Sequence, residues 1–414
     1  MLRIIHTADW HLGHALHGIS RHYEHQKFLD WLLEQLSRQQ ADVLMVAGDI
    51  FDTANPSAAA QTQLYDFLVQ AGRENPQLDI ILIGGNHDSA ARLDAPASLL
   101  KSLRVSVIGG LTRDSSGEID WHRLLIPLSN AQGEVKAWCG AMPFLRHADL
   151  PVQHDAEDGL IAGVSTLYAQ LIEHLQQQAN ADEALILMGH CYMVGGNISE
   201  LSERKILGGN QHALPKQLFP EQVSYTALGH LHLAQTVAGD ATVRYSGSPI
   251  PLSFAEQHYK HQVLQVDLQA DNSVCVEPLL VPRSVAILRI PNAQEYCALE
   301  SALQQVAQLT LEADLPIEQQ PVLELRIRLS KPEPSLRQQI EQALSDLSVR
   351  LLKISVAFTG TESSLADAMP ERRLEDLQPE HVFERCYFDK YATAVPVELL
   401  HLFNELQETL QGGE

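Results

Sequence analysis

The chain has 414 residues, 45% of them hydrophobic, with 24 glycines and 20 prolines; this exceeds one ordinary domain and excludes a disordered or fibrous protein. Five cysteines at 139, 191, 275, 297 and 386 are scattered without a C-x-x-C pair, which argues for a reducing compartment and against a thiolate metal site. The net charge of −23, from 29 Lys+Arg against 52 Asp+Glu, speaks against coating nucleic acid through direct phosphate contacts, but leaves a nuclease open because bound divalent ions reverse the local field.

In chain order, Leu2–Ile5 is the first apolar run. No charged-then-apolar leader precedes it and no apolar stretch approaches a membrane span, so a cytoplasmic protein is expected, nucleoid-associated when acting on DNA. "HYEHQKFLDWLLEQLSRQ" follows, with Phe28, Leu29, Leu32, Leu33 and Leu36 at helical spacing. Val43–Val46, Ile80–Ile83, Leu185–Met188 and Tyr225–Leu228 read as further buried strands, and 164–177 as a helix. This alternation predicts a layered α/β domain over 1–280.

From 281 the pattern restarts as strand, helix, strand, helix, strand, a small α/β domain over 281–358. Eight basic and nine acidic residues give 281–357 a charge of −1, so the remaining −22 lies elsewhere. Polar residues 359–378 read as a linker, and 379–414 as a helical tail with helices near 379–391 and 395–411. In the last, Val395, Leu399, Leu402, Leu406 and Leu410 share a face with Phe403 beside it. Such a face needs a cover, either this chain or a partner.

Five apolar strands run into polar clusters: "TADWH" (Asp9, His11), "VAGDIFD" (Asp49, Asp52), "IGGNHD" (Asn86, His87, Asp88), "MGHCY" (His190) and "ALGHLH" (His230, His232). If the strands share a sheet, all five clusters meet at one rim, where ligands bind in open α/β sheets. In extended chain, i and i+2 point the same way, so Asp9 with His11, and His230 with His232, can each aim two donors into one site. Adjacent Asn86 and His87 point apart, so one can ligate while the other faces substrate. Asp9, His11, Asp49, Asn86, His190, His230 and His232 offer only oxygen and nitrogen, a set suited to Mn, Fe or Zn. Seven donors are too many for one tetrahedral ion and suit two ions roughly 3.5–4 Å apart with a bridging carboxylate, the usual two-metal phosphoester-cleaving site.

Taken in order, D-x-H, G-D, G-N-H-D, G-H and G-H-x-H resemble the motif series of the calcineurin-like metallophosphoesterases. "HTADWHLG", "SRHYEHQKFLDWL", "VAGDIFDTANPS", "GGNHDS", "ALGHLH" and "RYSGSPIPLSF" narrow the resemblance to the SbcD family of bacterial nuclease subunits, across the whole first domain. The resemblance implies a metallophosphoesterase β-sandwich flanked by helices, with the small α/β domain capping the site and selecting DNA. By it, Asp9, His11 and His232 hold one ion, Asn86, His190 and His230 the other, and Asp49 bridges. His87 matches the non-ligand histidine that meets the scissile phosphate or leaving oxygen, and Asp52 the acid that orients it. The implied cofactors are two divalent cations, manganese foremost. The implied activity is exonuclease and endonuclease cleavage of double-stranded ends and of single-stranded or hairpin DNA. The implied partner is an SbcC-like SMC-type ATPase, bound through the C-terminal helices, with two copies of each chain. Two rivals are a phosphatase or cyclic-nucleotide phosphodiesterase on the same scaffold, and a non-catalytic adaptor; the complete set of ligand motifs argues against the adaptor.

Other residues take structural readings. Asp88 could support the ligand residues from behind, though a turn or cap suits it at least as well; His6 suits a strand position, and His14, His17, His22 and His25 scaffold or surface. Ser246–Phe254 reads as a rigid Pro-Gly turn, Cys191 as a small buried filler, and Arg21 and Arg92 as solvated surface with DNA phosphate as the alternative.

Overall fold

The computed structural model describes residues 1–151, 158–194, 196, 213–293 and 295–358, and in the tail 383, 386–388, 390–391, 393, 395–396 and 399–400. It divides into two compact units, Met1–Ala286 and Ile287–Glu414. The first unit thus runs past the 280 boundary read from the pattern. Val281 donates its N–H to the His261 carbonyl at 3.0 Å and Arg283 donates to the Gln257 carbonyl at 2.8 Å, tying this segment to the first unit.

The five motif-bearing strands do not share a sheet. Leu2–Thr7, Val43–Ala47 and Asp79–Ile83 are consecutive parallel neighbours in one six-stranded sheet. Ala184–His190 and Val223–Gly229 are parallel neighbours in a second. Each sheet is completed partly by antiparallel strands, Gln262–Leu268 beside Leu2–Thr7 in the first and Leu125–Ser129 beside Val135–Ala141 in the second.

Side-chain alternation explains how the sheets stack. Ile4, Met45, Ile81 and Ile83 join Cys139, Ala141, Met188 and Ala227 in one core between the sheets. Their neighbours Ile5, Leu44, Val46, Ile80 and Leu82 face the other way, into a core with Phe28, Leu32 and Leu36 of the His22–Gln39 helix and Leu64, Phe67 and Leu68 of the Ala58–Glu74 helix. Strands covered on both faces read as unbroken apolar runs, as seen in the sequence. The Gly159–Gln178 helix covers the second sheet with Leu167, Leu171 and Leu175. It begins before the expected 164 because the Asp158 carboxylate accepts the N–H groups of Leu160 and Ile161, at 3.0 and 3.1 Å.

Arg21 is neither surface nor a phosphate contact. It is buried at the start of the first helix, paired with Glu24, and donates to the Pro251 carbonyl at 2.8 Å. It thereby staples the 246–254 segment to this helix.

In the second unit Ile287–Ile290, Val322–Leu329 and Arg350–Phe358 form a three-stranded parallel sheet. Leu323, Leu325 and Ile327 pack against Leu299, Ala302 and Val306 of the Leu299–Ala307 helix and Ile340 and Leu344 of the Leu336–Leu344 helix. The expected linker over 359–378 and the tail residues Leu402, Phe403, Leu406 and Leu410 lie outside the described residues. Val395 is half-buried and Leu399, 36% exposed, is helical. Among the described residues no helix is long and apolar enough to cross a membrane.

Candidate metal centre

The sandwich brings the ends of all five strands together, although two sheets supply them. Asp9 donates its N–H to the Gly48 carbonyl at 3.0 Å and His11 to the Asp49 carbonyl at 2.9 Å, which fastens the first two loops side by side. His230 N–H donates to both Asp9 carboxylate oxygens, at 3.0 and 3.1 Å, which ties the second sheet to the first.

The i, i+2 expectation does not describe these loops. Asp9, His11, Asp49 and His230 have φ of 55°, 49°, 49° and 103°, so the chain there is not extended. Non-glycine residues at positive φ carry strain that surrounding structure must hold, and such outliers gather at functional sites. Trp10 points away from the site, edge-on to Phe28 and Phe67 at 5.7 and 5.4 Å, and anchors the turn in the helical core. Gly48 has φ +89°, and a Cβ there would sit 2.2 Å from His190 Nδ1. A glycine is required for His190 to enter.

Two sets of donors result. Asp9, His11 and His232 each place a ligating atom within 4.8 Å of the others, and so do Asp49, His190 and His230. His230 and His232 therefore serve different sets. Asn86 adds to the second: its Oδ1 is 3.0 Å from His190 Nε2 and 3.0 Å from His230 Nδ1. Asp49 lies between the sets, with Oδ2 3.6 Å from His11 Nε2 and 3.4 Å from His190 Nε2. His11, Asp52 and His87 form a third set of the same compactness, sharing His11 with the first.

The imidazole tautomers follow from their partners, since a carbonyl or carboxylate oxygen only accepts. His190 Nδ1–H donates to the Ala47 carbonyl at 2.8 Å, leaving Nε2 toward Asn86 and Asp49. His232 Nδ1–H donates to the Glu256 carboxylate at 3.0 Å, and His11 Nδ1–H to the Asp52 carboxylate at 3.2 Å. His11 Nε2 is buried and has no hydrogen-bond partner.

That orphaned nitrogen, and an amide oxygen met by two imidazole nitrogens, fit a cation better than a set of hydrogen bonds. Asp9 and Asp49 are buried carboxylates, 0% and 2% exposed, and buried charge needs compensation. Burial pushes the Asp9 carboxyl up. Burial acts the same way on Asp49, but the His190, His11 and His87 rings outweigh it and hold Asp49 well below the usual carboxylate range. Burial disfavours the charged His190 ring, which Asp49 nevertheless raises to about 9; burial and the neighbouring His190 press His230 down to about 3. A metal entering such a site displaces the imidazole proton.

His87 is held differently from the sequence expectation. Its Nδ1–H donates to the main-chain carbonyl of Asp52 at 2.7 Å, while the Asp52 carboxylate serves His11. The His87 N–H donates to Asp49 Oδ1 at 2.8 Å. Glu256 was missed in the sequence, and Asp88 takes the supporting place that stood beside its turn or cap reading. Glu256, 0% exposed, orients His232 and also accepts the Leu252 N–H at 2.8 Å. The turn read at Ser246–Phe254 is its delivery arm. Asp88 accepts the N–H groups of Ile50, Phe51 and Gly85 at 3.1, 2.9 and 2.9 Å, bolting two ligand loops together; burial and Asp49 raise its carboxyl to about 6. His6 is structural: Leu228 O accepts from its Nε2–H at 3.2 Å and Tyr225 OH meets its Nδ1 at 2.9 Å.

The calcineurin-like phosphoesterase family matches residues 2–234, and the type 5 capsule protein repressor C-terminal domain matches 283–391. The SbcD component of the SbcCD nuclease from Rhodobacter capsulatus is 40% identical over 93% of this chain and 94% of its own length. The corresponding SbcCD nuclease components of Escherichia coli K12 and Bacillus subtilis are 32% and 33% identical, over 99% and 80% of this chain and 99% and 84% of their own. These matches run through the strand ends that build the centre, and the chain belongs to the calcineurin-like phosphoesterases and, within them, to the SbcD nucleases.

Proposed function

We propose that this metal-dependent nuclease cleaves DNA phosphodiesters with two divalent cations, manganese in the first instance. Asp9, His11 and His232 hold one, Asn86, His190 and His230 the other, and Asp49 bridges them. The observation that carries this reading is a single carboxylate oxygen, Asp49 Oδ2, within 3.6 Å of His11 Nε2 and 3.4 Å of His190 Nε2. Bound there, the cations supply Lewis-acid activation of water and charge neutralisation at the phosphodiester.

The chain's own groups do the rest. Asp88 fixes the loops that present Asp49 and Asn86. With Nδ1–H committed to the Asp52 carbonyl, the proton that His87 gains or loses is the one on Nε2. That nitrogen steadies charge on the phosphate or hands a proton to the departing oxygen.

The chain works as the nuclease half of an ATP-dependent complex on double-stranded ends and hairpins. Its partner is the other component of an SbcCD-type complex, taken here as the SbcC-like SMC-type ATPase that the sequence resemblance implies, held through the C-terminal helices, with two copies of each. The small α/β domain over 281–358, with a charge of −1 over 281–357, is proposed as the cap that selects DNA. The setting is cytoplasmic, at the nucleoid when DNA is engaged.

Purified protein is incubated with Mn²⁺ and linear duplex or hairpin DNA, with and without the ATPase, beside a phosphomonoester and a cyclic nucleotide. DNA is cleaved, and EDTA abolishes cleavage. Intact DNA in every arm with brisk hydrolysis of the small esters overturns the reading.

A further inference from the structure

We propose that Arg146 grips a DNA phosphate that flanks the one being cleaved, and so sets affinity for a polymeric substrate. The inference rests on the nuclease reading above.

Arg146 lies beyond the Val135–Ala141 strand of the second sheet, in a segment fastened to the centre at several points. Met142 N–H donates to the Met188 carbonyl at 3.2 Å, and Phe144 N–H to the Gly84 carbonyl at 2.8 Å, at the start of the Asn86–Asp88 loop. The Phe144 ring stands edge-on to the His190 ring at 6.2 Å. The Arg146 guanidinium lies over the Phe144 ring, with Cζ 6.0 Å from its centroid, and its Nη2 donates to the Asp88 carbonyl at 2.9 Å. It is therefore anchored on the residue after His87 and lies within 6.0 Å of the ring that meets His190 edge-on.

A guanidinium has five N–H donors in a rigid fork. Among the described residues only one bond is used here, and no carboxylate pairs with the Arg146 guanidinium. Arg3, Arg21, Arg123 and Arg289 each have a carboxylate partner, whereas Arg283 is held, like Arg146, by main-chain carbonyls; what sets Arg146 apart is its anchor on the Asn86–Asp88 loop. A half-buried guanidinium, braced at one edge with the rest of its fork unused, suits bidentate capture of an anion.

Distance is compatible with that anion. The two ring separations bound Cζ to within about 12 Å of the His190 ring, more than the roughly 3.4 Å of axial rise that separates successive nucleotides of a strand. A neighbouring phosphate of the same strand falls inside that reach. An acidic protein needs such local cations to hold a polyanion, and each phosphate contact adds to the salt dependence of binding.

The test compares Arg146→Gln, which keeps a donor for the Asp88 carbonyl, and Arg146→Lys with wild type. Substrates are linear DNA and bis(p-nitrophenyl) phosphate, which has no flanking phosphate, in Mn²⁺ over a salt series. For Arg146→Gln the DNA KM rises about 5- to 20-fold, and the DNA-to-ester ratio of kcat/KM falls by a similar factor. The log–log salt slope of DNA binding falls by about one. Arg146→Lys recovers part of the KM. Equal losses on DNA and ester, or an unchanged KM and slope while wild type cleaves DNA, overturn the assignment of Arg146 alone. Wild-type protein that hydrolyses the ester and leaves DNA intact overturns the nuclease reading and this inference with it.

Discussion

His87 is held from two sides, its ring on the Asp52 carbonyl and its N–H on the Asp49 carboxylate. Its role in proton transfer can be removed without dismantling the ligands. His87→Asn is expected to keep divalent-metal affinity by calorimetry and to lower DNA cleavage by about 10²–10⁴-fold. Glu256 acts through His232: Glu256→Gln lowers manganese affinity by about 10–100-fold in the same titration, as expected for a carboxylate that orients a ligating imidazole. His6 gives a pH signature away from the metals. Burial holds its folded pKa near 3, below the ordinary 6.5. Between those values the unfolded chain takes up a proton that the folded chain refuses. The His6 contribution is therefore complete above about pH 6.5 and lost as pH falls toward 3, by at most about 1.4 kcal/mol per pH unit. Denaturant melts of His6→Phe should show a shallower acid loss than wild type across that window.

At the scale of elements, the strand ends were legible because each apolar run stops at a polar cluster. The His22–Gln39 helix was legible from the spacing of Phe28, Leu29, Leu32, Leu33 and Leu36. Which sheet each strand joins was not, because a strand covered on both faces looks alike in either. The donor set of the centre was visible in residue type and order, yet the i, i+2 reason for it fails where Asp9 and His11 turn into positive φ. Glu256 was hidden because it meets His232 across 24 residues, a pairing that depends on how the Ser246–Phe254 segment returns. Gly48 tests the turn chemistry directly. Gly48→Ala strains a positive-φ position and drives a methyl into His190, so it should cost at least about 1–3 kcal/mol in thermal stability and weaken metal binding in the same protein. An unchanged melt and titration would show that the loop relaxes around the methyl.

At the scale of the molecule, the charge of −23 is compatible with DNA chemistry when cations occupy the centre and a partner supplies basic surface. The tail is the proposed contact with that partner. Deleting 379–414 should leave the melting curve of the Met1–Ala286 unit within a few degrees and abolish co-purification with the SMC-like ATPase; retained binding would move the interface elsewhere. The central claim is a two-cation centre bridged by Asp49, and anomalous diffraction from crystals grown in Mn²⁺ measures it most directly. The account predicts two peaks about 3.5–4 Å apart, one among Asp9, His11 and His232, the other among Asn86, His190 and His230, with Asp49 touching both. A single peak, or two with Asp49 outside either, would contradict it.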